Sequence, residues 1–202
     1  MTSLPDNFAQ LAAKVFCMLP QEQRVGFVTD TYKDQSIKFA EHDRRGTSEP
    51  FLIKGPSTKV PKDWKSFLQN SKNKEQLLRL LLAEWQKDEY AAKLHGRELM
   101  FVCGKECIAL TSNDGKEVKR RVIQELASSQ EEADTRIILH CCHASNAEKD
   151  IIVRSPDTDV FILLLYYCSR IDANMYFDTG NGDKRRLLNI KTLFNIHGTE
   201  LC

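Results

Sequence analysis

Ile151-Ile152-Val153-Arg154-Ser155-Pro156-Asp157-Thr158-Asp159, running straight into the apolar stretch Val160 to Tyr167, decides how this chain is read. Ile151 to Val153 is too apolar for a half-exposed strand and is expected inside a parallel sheet. Asp157 and Asp159 then follow the carboxyl end of that strand, where ligand sites of open α/β sheets gather. Val160 to Tyr167 has no clean period, and its place behind an acidic turn predicts a short buried helix. Aspartates between apolar segments are expensive if buried and unpaired. A divalent cation offsets that cost, and hard cations such as Mg²⁺ take carboxylate oxygens.

A second acidic cluster lies upstream, at Glu131-Glu132-Ala133-Asp134-Thr135. Ser129-Gln130-Glu131-Glu132 spells a capping box, with Ser129 at the N-cap and Glu132 reaching back. The helix it opens is expected to run to about Ser145 and to bury Ala133, Ile137, Ile138 and Cys141. A third carboxylate, Asp30, closes the short apolar strand Val25 to Thr29, which like Ile151 to Val153 is expected to be an inner strand. Each acidic group alone has a plainer explanation: Glu132 as a cap on the helix dipole, Asp157 as a turn former after Pro156. Together they fit that explanation poorly, because like charges gathered at one sheet rim repel unless a cation intervenes.

Elsewhere the pattern alternates helix and strand. Phe8 to Met18 has helical spacing and Pro20 stops it. Ser36 to Arg45 reads as a polar helix closed by Gly46, and Thr47 to Pro61 as a mobile loop. Trp64 to Leu68 and Asn73 to Leu94 are helical, with a leucine-rich face suited to core packing. Leu99 to Cys103 and Cys107 to Leu110 are strands about Gly104-Lys105-Glu106. Met175 to Asp178 and Leu187 to Ile190 form a hairpin. Strands alternating with helices imply an α/β fold with a mostly parallel central sheet and helices on both faces, as a single domain over residues 1–202.

Composition narrows the function. A net charge of +1 argues against a general polyanion binder. Local basic clusters at Lys116, Lys119, Arg120 and Arg121, and at Lys184, Arg185 and Arg186, read as solvated surface. The 7 cysteines are odd in number and scattered, which argues against a disulfide framework and for reduced thiols in an intracellular compartment. Cys103, Cys107, Cys141, Cys142 and His143 lack zinc-knuckle spacing, and adjacent Cys141 and Cys142 would point apart on one helix. No apolar run approaches the roughly 20 residues that cross a bilayer, so no membrane partner is expected.

The motifs together resemble the flap-endonuclease-like branch of the PIN-like nucleases. That family carries Glu-Ala-Glu or Glu-Ala-Asp at a helix start and, about twenty residues on, Ser/Thr-x-Asp-x-Asp after a strand. Glu132-Ala133-Asp134 and Ser155-Pro156-Asp157-Thr158-Asp159 match it here. Val28-Thr29-Asp30, then Lys38, Arg44 and Arg45, resemble the family's second-strand Asp with its following Lys and Arg. More narrowly, the strings around Ser36-Ile37-Lys38, Glu131 to Arg136 and Ser155 to Val160 resemble a group of multicopy, transposon-associated animal proteins.

The resemblance implies a two-metal phosphodiesterase holding Mg²⁺ or Mn²⁺ and acting on branched or single-stranded DNA or RNA. Asp157 and Asp159 would be central ligands, Glu132 and Asp134 would complete one shell, and Asp30 would contribute through water. Lys38, Arg44 and Arg45 would clamp the phosphate, residues 47–94 would take the place of the family's arch, and residence would be nuclear. The family's opening strand with its Asp, and its closing helix-hairpin-helix, have no counterpart between Met1 and Cys202, so the domain is expected to be incomplete at both ends. Two readings stand beside this one. The first is a catalytically dead mobile-element remnant that binds nucleic acid or protein. The second is an unrelated α/β interaction domain whose acidic residues are caps and turns.

Overall fold

The fold is taken from a computed structural model, which describes residues 4–30 and 50–197. The expected single domain consists of two compact units, Met1–Glu131 and Glu132–Cys202. The helix expected over Ser36 to Arg45 lies outside the described residues.

In the first unit, helix α1 (Phe8–Met18) starts where Asn7 accepts a hydrogen bond from the Gln10 amide at 2.9 Å. The side-chain oxygen satisfies an amide that the first helical turn leaves open. Strand β1 (Arg24–Phe27) follows, then α2 (Trp64–Gln69) and α3 (Ser71–Trp85). Asp63 caps α2, and Asn70 caps α3 by accepting from Lys72 and Asn73. The long helix expected to Leu94 breaks after Trp85 and resumes as a short 3₁₀ turn and α4 (Ala91–Leu94). Strands β2 (Glu98–Cys103), β3 (Glu106–Thr111) and β4 (Lys119–Val122) complete a sheet of order β1-β2-β3-β4.

The core of this unit is aromatic. Trp85 is fully buried, donates its indole N–H to the Ala12 carbonyl at 3.0 Å, and meets Phe16, Phe27 and Phe101 edge-on. Residues 50–61, expected to be mobile, are tied down. Phe8 and Ala9 donate backbone bonds to Thr58 and Pro56, and Phe51 and Ile53 pack with Phe8, Phe67 and Trp64.

The second unit contains α5 (Ala133–Ala144), β5 (Asp150–Arg154), α6 (Thr158–Tyr167), β6 (Asn174–Thr179), β7 (Arg186–Asn189) and α7 (Ile190–His197). Its sheet runs β5-β6-β7. Val153, Met175 and Phe177 on one sheet face pack with Ile138 and Cys141 of α5 and Val160 and Leu164 of α6.

The expected mostly parallel central sheet needs correction, although the α/β class stands. There are two sheets among the described residues. The β1–β2 and β5–β6 pairs are parallel, whereas β2–β3, β3–β4 and β6–β7 are antiparallel. Loop length explains the split. Gly104-Lys105, Ser112 to Val118 and Gly180 to Arg185 are too short to carry a crossover, so their flanking strands must reverse. The two parallel pairs are those with helices between their strands. Val25 and Ile151 to Val153, expected in inner strands, lie instead in the edge strands β1 and β5.

Candidate functional site

The second unit brings its two acidic motifs to one end, and its topology explains why. α5 turns through Ser145 to Lys149, where the Ala147 and Glu148 amides both bond to the Ala144 carbonyl, and enters β5 at once. Helix and strand therefore run in opposite directions. Their lengths match at about 18 Å and about 17 Å respectively, so the first turn of α5 lies level with the end of β5. The chain reverses again at Ser155-Pro156, and α6 starts from that same end. α5 and α6 pack together.

At the start of α6, Asp157 is the N-cap. One of its carboxylate oxygens, Oδ1, accepts the Asp159 amide at 2.9 Å, and its own amide donates to Ser155 Oγ at 3.1 Å. Ser155 is buried, and its amide donates to the Asp178 carbonyl at 3.2 Å, which ties the acidic turn to β6. At the start of α5, Glu132 occupies the cap position without a side-chain capping bond, and Asp134 Oδ1 accepts the Thr135 amide at 2.6 Å. The expected capping box from Ser129 is therefore corrected. The helix begins at Ala133, and Thr135 Oγ1 donates to the Glu132 carbonyl at 3.1 Å instead.

Burial also differs from expectation. Glu132, Asp157 and Asp159 are exposed and Asp134 is half-buried, so none carries the desolvation cost that the flanking apolar segments suggested. Their oxygens suit a hard cation in kind, since Mg²⁺ and Mn²⁺ prefer carboxylate and water. Among the described residues no group of three or more His, Cys, Asp or Glu side chains is placed to hold a metal ion.

Asp30 belongs to the first unit. It lies three residues beyond the end of β1 and is half-buried. There it lines an open groove of about 510 Å³ together with Glu75, Arg79, Cys103, Lys105 and Arg120. Burial pushes the Cys103 thiol up, opposed by Arg79. Lys38, Arg44 and Arg45 lie outside the described residues. Lys119, Arg120 and Arg121, read as solvated surface, form the exposed edge strand β4, where Arg121 pairs with Glu98 at 3.0 Å. A charged edge of this kind discourages pairing with another chain.

The residue that sequence reasoning missed is Asp178, on β6. Only 2% of it is exposed, and Arg185 grips it with two bonds of 2.8 Å, from Nε to Oδ1 and from a terminal nitrogen to Oδ2. Arg154, its cross-strand neighbour on β5, approaches Oδ2 at 3.9 Å. The Arg185 hydrogen bond holds the Asp178 carboxyl below the usual carboxylate range, with burial opposing and Arg154 adding a weaker pull in the same direction. The available signal was an aspartate at an apolar strand's end with an arginine seven positions on, which is too weak to act on alone.

No family model, curated protein or solved structure matches the chain. No helix among the described residues is long and apolar enough to cross a membrane.

Proposed function

We propose that this chain is a PIN-like, divalent-metal-dependent nuclease domain that hydrolyses phosphodiester bonds in branched or single-stranded DNA or RNA, with a nuclear place of work. The observation that carries the reading is the pair of acidic helix starts, Glu132 with Asp134 and Asp157 with Asp159, at the end of the second unit where β5 finishes. These four carboxylates would hold Mg²⁺ or Mn²⁺. When bound, such an ion makes water a better nucleophile and neutralises charge on the leaving oxygen.

The chain's own groups prepare this end in two ways. The Asp157 carboxylate is oriented by the Asp159 amide on Oδ1, which leaves Oδ2 for a cation. The Ser155 hydroxyl fixes the turn that presents it. Both are second-layer contacts of the kind that orient metal-ligating carboxylates.

One observation favours a second reading, a catalytically inactive mobile-element remnant that binds nucleic acid or protein. It is the lack, among the described residues, of three acidic or other ligating side chains drawn to one point. A labelled-flap assay with Mn²⁺ separates the two readings. The nuclease reading expects slow Mn²⁺-dependent cleavage that is lost in Asp159→Asn. Binding with no cleavage at any Mn²⁺ concentration supports the remnant.

A further inference from the structure

We propose that Arg154 and Arg185, which face the buried Asp178, form a metal-independent clamp for a backbone phosphate of single-stranded nucleic acid on the open face of the β5-β6-β7 sheet. The proposal rests on the nucleic-acid part of the reading above and not on its metal.

Sheet register sets up the geometry. Arg154, Asp178 and Leu187 are paired neighbours across the three strands and therefore project from the same face. Asp178 is almost wholly buried, yet more than half of each arginine side chain is exposed, 54% for Arg154 and 57% for Arg185. One carboxylate facing two guanidiniums leaves positive charge in excess. A guanidinium carries five N–H donors in a rigid fork. Arg185 spends its Nε and one terminal nitrogen on Asp178, so its outer edge is directed away from the carboxylate.

A simpler role, pinning the loop between β6 and β7, accounts for Arg185 alone. That loop is indeed built tightly. Gly180 has φ +78°, and a Cβ there would lie 2.2 Å from the Lys184 carbonyl oxygen. The Lys184 amide closes on Asn181 at 3.1 Å and the Arg185 amide on Gly182 at 3.0 Å. Loop pinning does not explain Arg154, which comes to the same carboxylate from the opposite strand at a looser 3.9 Å. Two arginines facing one buried acid, Arg185 fixed by its hydrogen bonds and Arg154 beside it at ion-pair distance, with their outer edges in solvent, form an arrangement that takes a tetrahedral oxyanion.

The surroundings favour nucleic acid over a phosphorylated peptide. Ile152 and Leu187, each 57% exposed, share the arginines' sheet face with half-buried Tyr176. Apolar and aromatic ground beside a phosphate contact suits unstacked bases, whose flat faces need no sequence-specific partner. Lys184, exposed, precedes Arg185 in the loop and adds a further positive charge, offset in part by the exposed Asp183.

The test uses the full chain in EDTA, so that cleavage plays no part, and a fluorescently labelled single-stranded oligonucleotide read by anisotropy across a salt series. Arg154→Gln and Arg185→Gln are compared with Lys116→Gln, an exposed change of equal charge in the first unit. Circular dichroism confirms that each variant is folded. The clamp predicts that Arg154→Gln raises Kd roughly five- to twentyfold and flattens the slope of log K against log salt by about 0.7, one phosphate contact. Lys116→Gln leaves both unchanged. Wild-type protein that fails to bind the oligonucleotide overturns the proposal. So does an Arg154→Gln slope equal to that of Lys116→Gln, or tighter binding of a phosphoserine peptide than of the oligonucleotide. Failure of the cleavage assay leaves this result untouched, and failure here leaves the carboxylates' role untouched.

Discussion

Arg185 closes on Asp178 through two parallel hydrogen bonds of 2.8 Å, joining the end of the loop after β6 to a carboxylate buried in the sheet. Asp178, and not a carboxylate of the sequence's acidic clusters, is the buried acid of the second unit among the described residues.

Its protonation makes acid stability predictable. The folded Asp178 pKa is depressed, so its contribution is present above the unfolded carboxylate value, about 3.9, and is lost as pH falls through the lower folded value. Asp178→Asn should therefore lower the melting temperature at pH 7 and leave a smaller further loss on acidification than in wild type. Thermal melts by circular dichroism between pH 7 and pH 2 check this. Identical pH profiles for the two proteins contradict it.

Gly180→Ala should disturb the same loop. The position has a left-handed φ, and the added methyl carbon would overlap the Lys184 carbonyl. Strain of this kind is worth about 1–3 kcal/mol. Urea unfolding should register the loss, whereas Gly55→Ala, where an added Cβ meets nothing within 4 Å, should be close to neutral.

Trp85→Ala should be the most damaging single change in the first unit. It empties a fully buried site between three aromatic rings and removes the partner of the Ala12 carbonyl. Truncations of this class cost about 3–5 kcal/mol. Trp85→Phe should cost less, since most of the volume returns and only the hydrogen bond is lost. Denaturant midpoints for the two variants give the comparison, and equal midpoints contradict this account of the site.

Thiol reactivity should divide the adjacent pair on α5. Cys141 is buried and its pKa is pushed up to about 12, chiefly by desolvation, while Cys142 is exposed. Since the thiolate is the reactive species, Cys142 and the exposed Cys17 should label first with a disulfide reagent at pH 8. Cys141 and the buried Cys107 should label only on unfolding. Peptide mapping after timed labelling distinguishes them.

The parts of the fold legible in the sequence were those whose signal is local. Phe8–Met18 and Thr158–Tyr167 are helices, and the β2–β3 hairpin turns at Gly104, where φ is +59°. Strand β4 was missed because Lys119 to Val122 shows no apolar alternation and is held by its pairing with β3. The start of α5 was set too early because Ser129 and Glu132 spell a capping box that the backbone does not form. Sheet order was not legible, since nothing within Val25 to Phe27 or Ile151 to Val153 states which edge faces a partner. The site divides in the same way. The carboxylates at two helix starts follow from spacing and strand direction. The Arg154–Asp178–Arg185 cluster depends on pairing between strands separated by a helix and a loop.

The most direct measurement of the proposed function is a calorimetric Mn²⁺ titration of the wild-type chain and Asp157→Asn. Asparagine is as good an N-cap as aspartate, so the substitution keeps the bond to the Asp159 amide and the helix start while removing the charge. The account predicts weak but measurable Mn²⁺ binding by the wild type and none by Asp157→Asn, with the two proteins folded alike. Equal Mn²⁺ heats from both proteins, or none from the wild type, would contradict the claim that these carboxylates hold a metal.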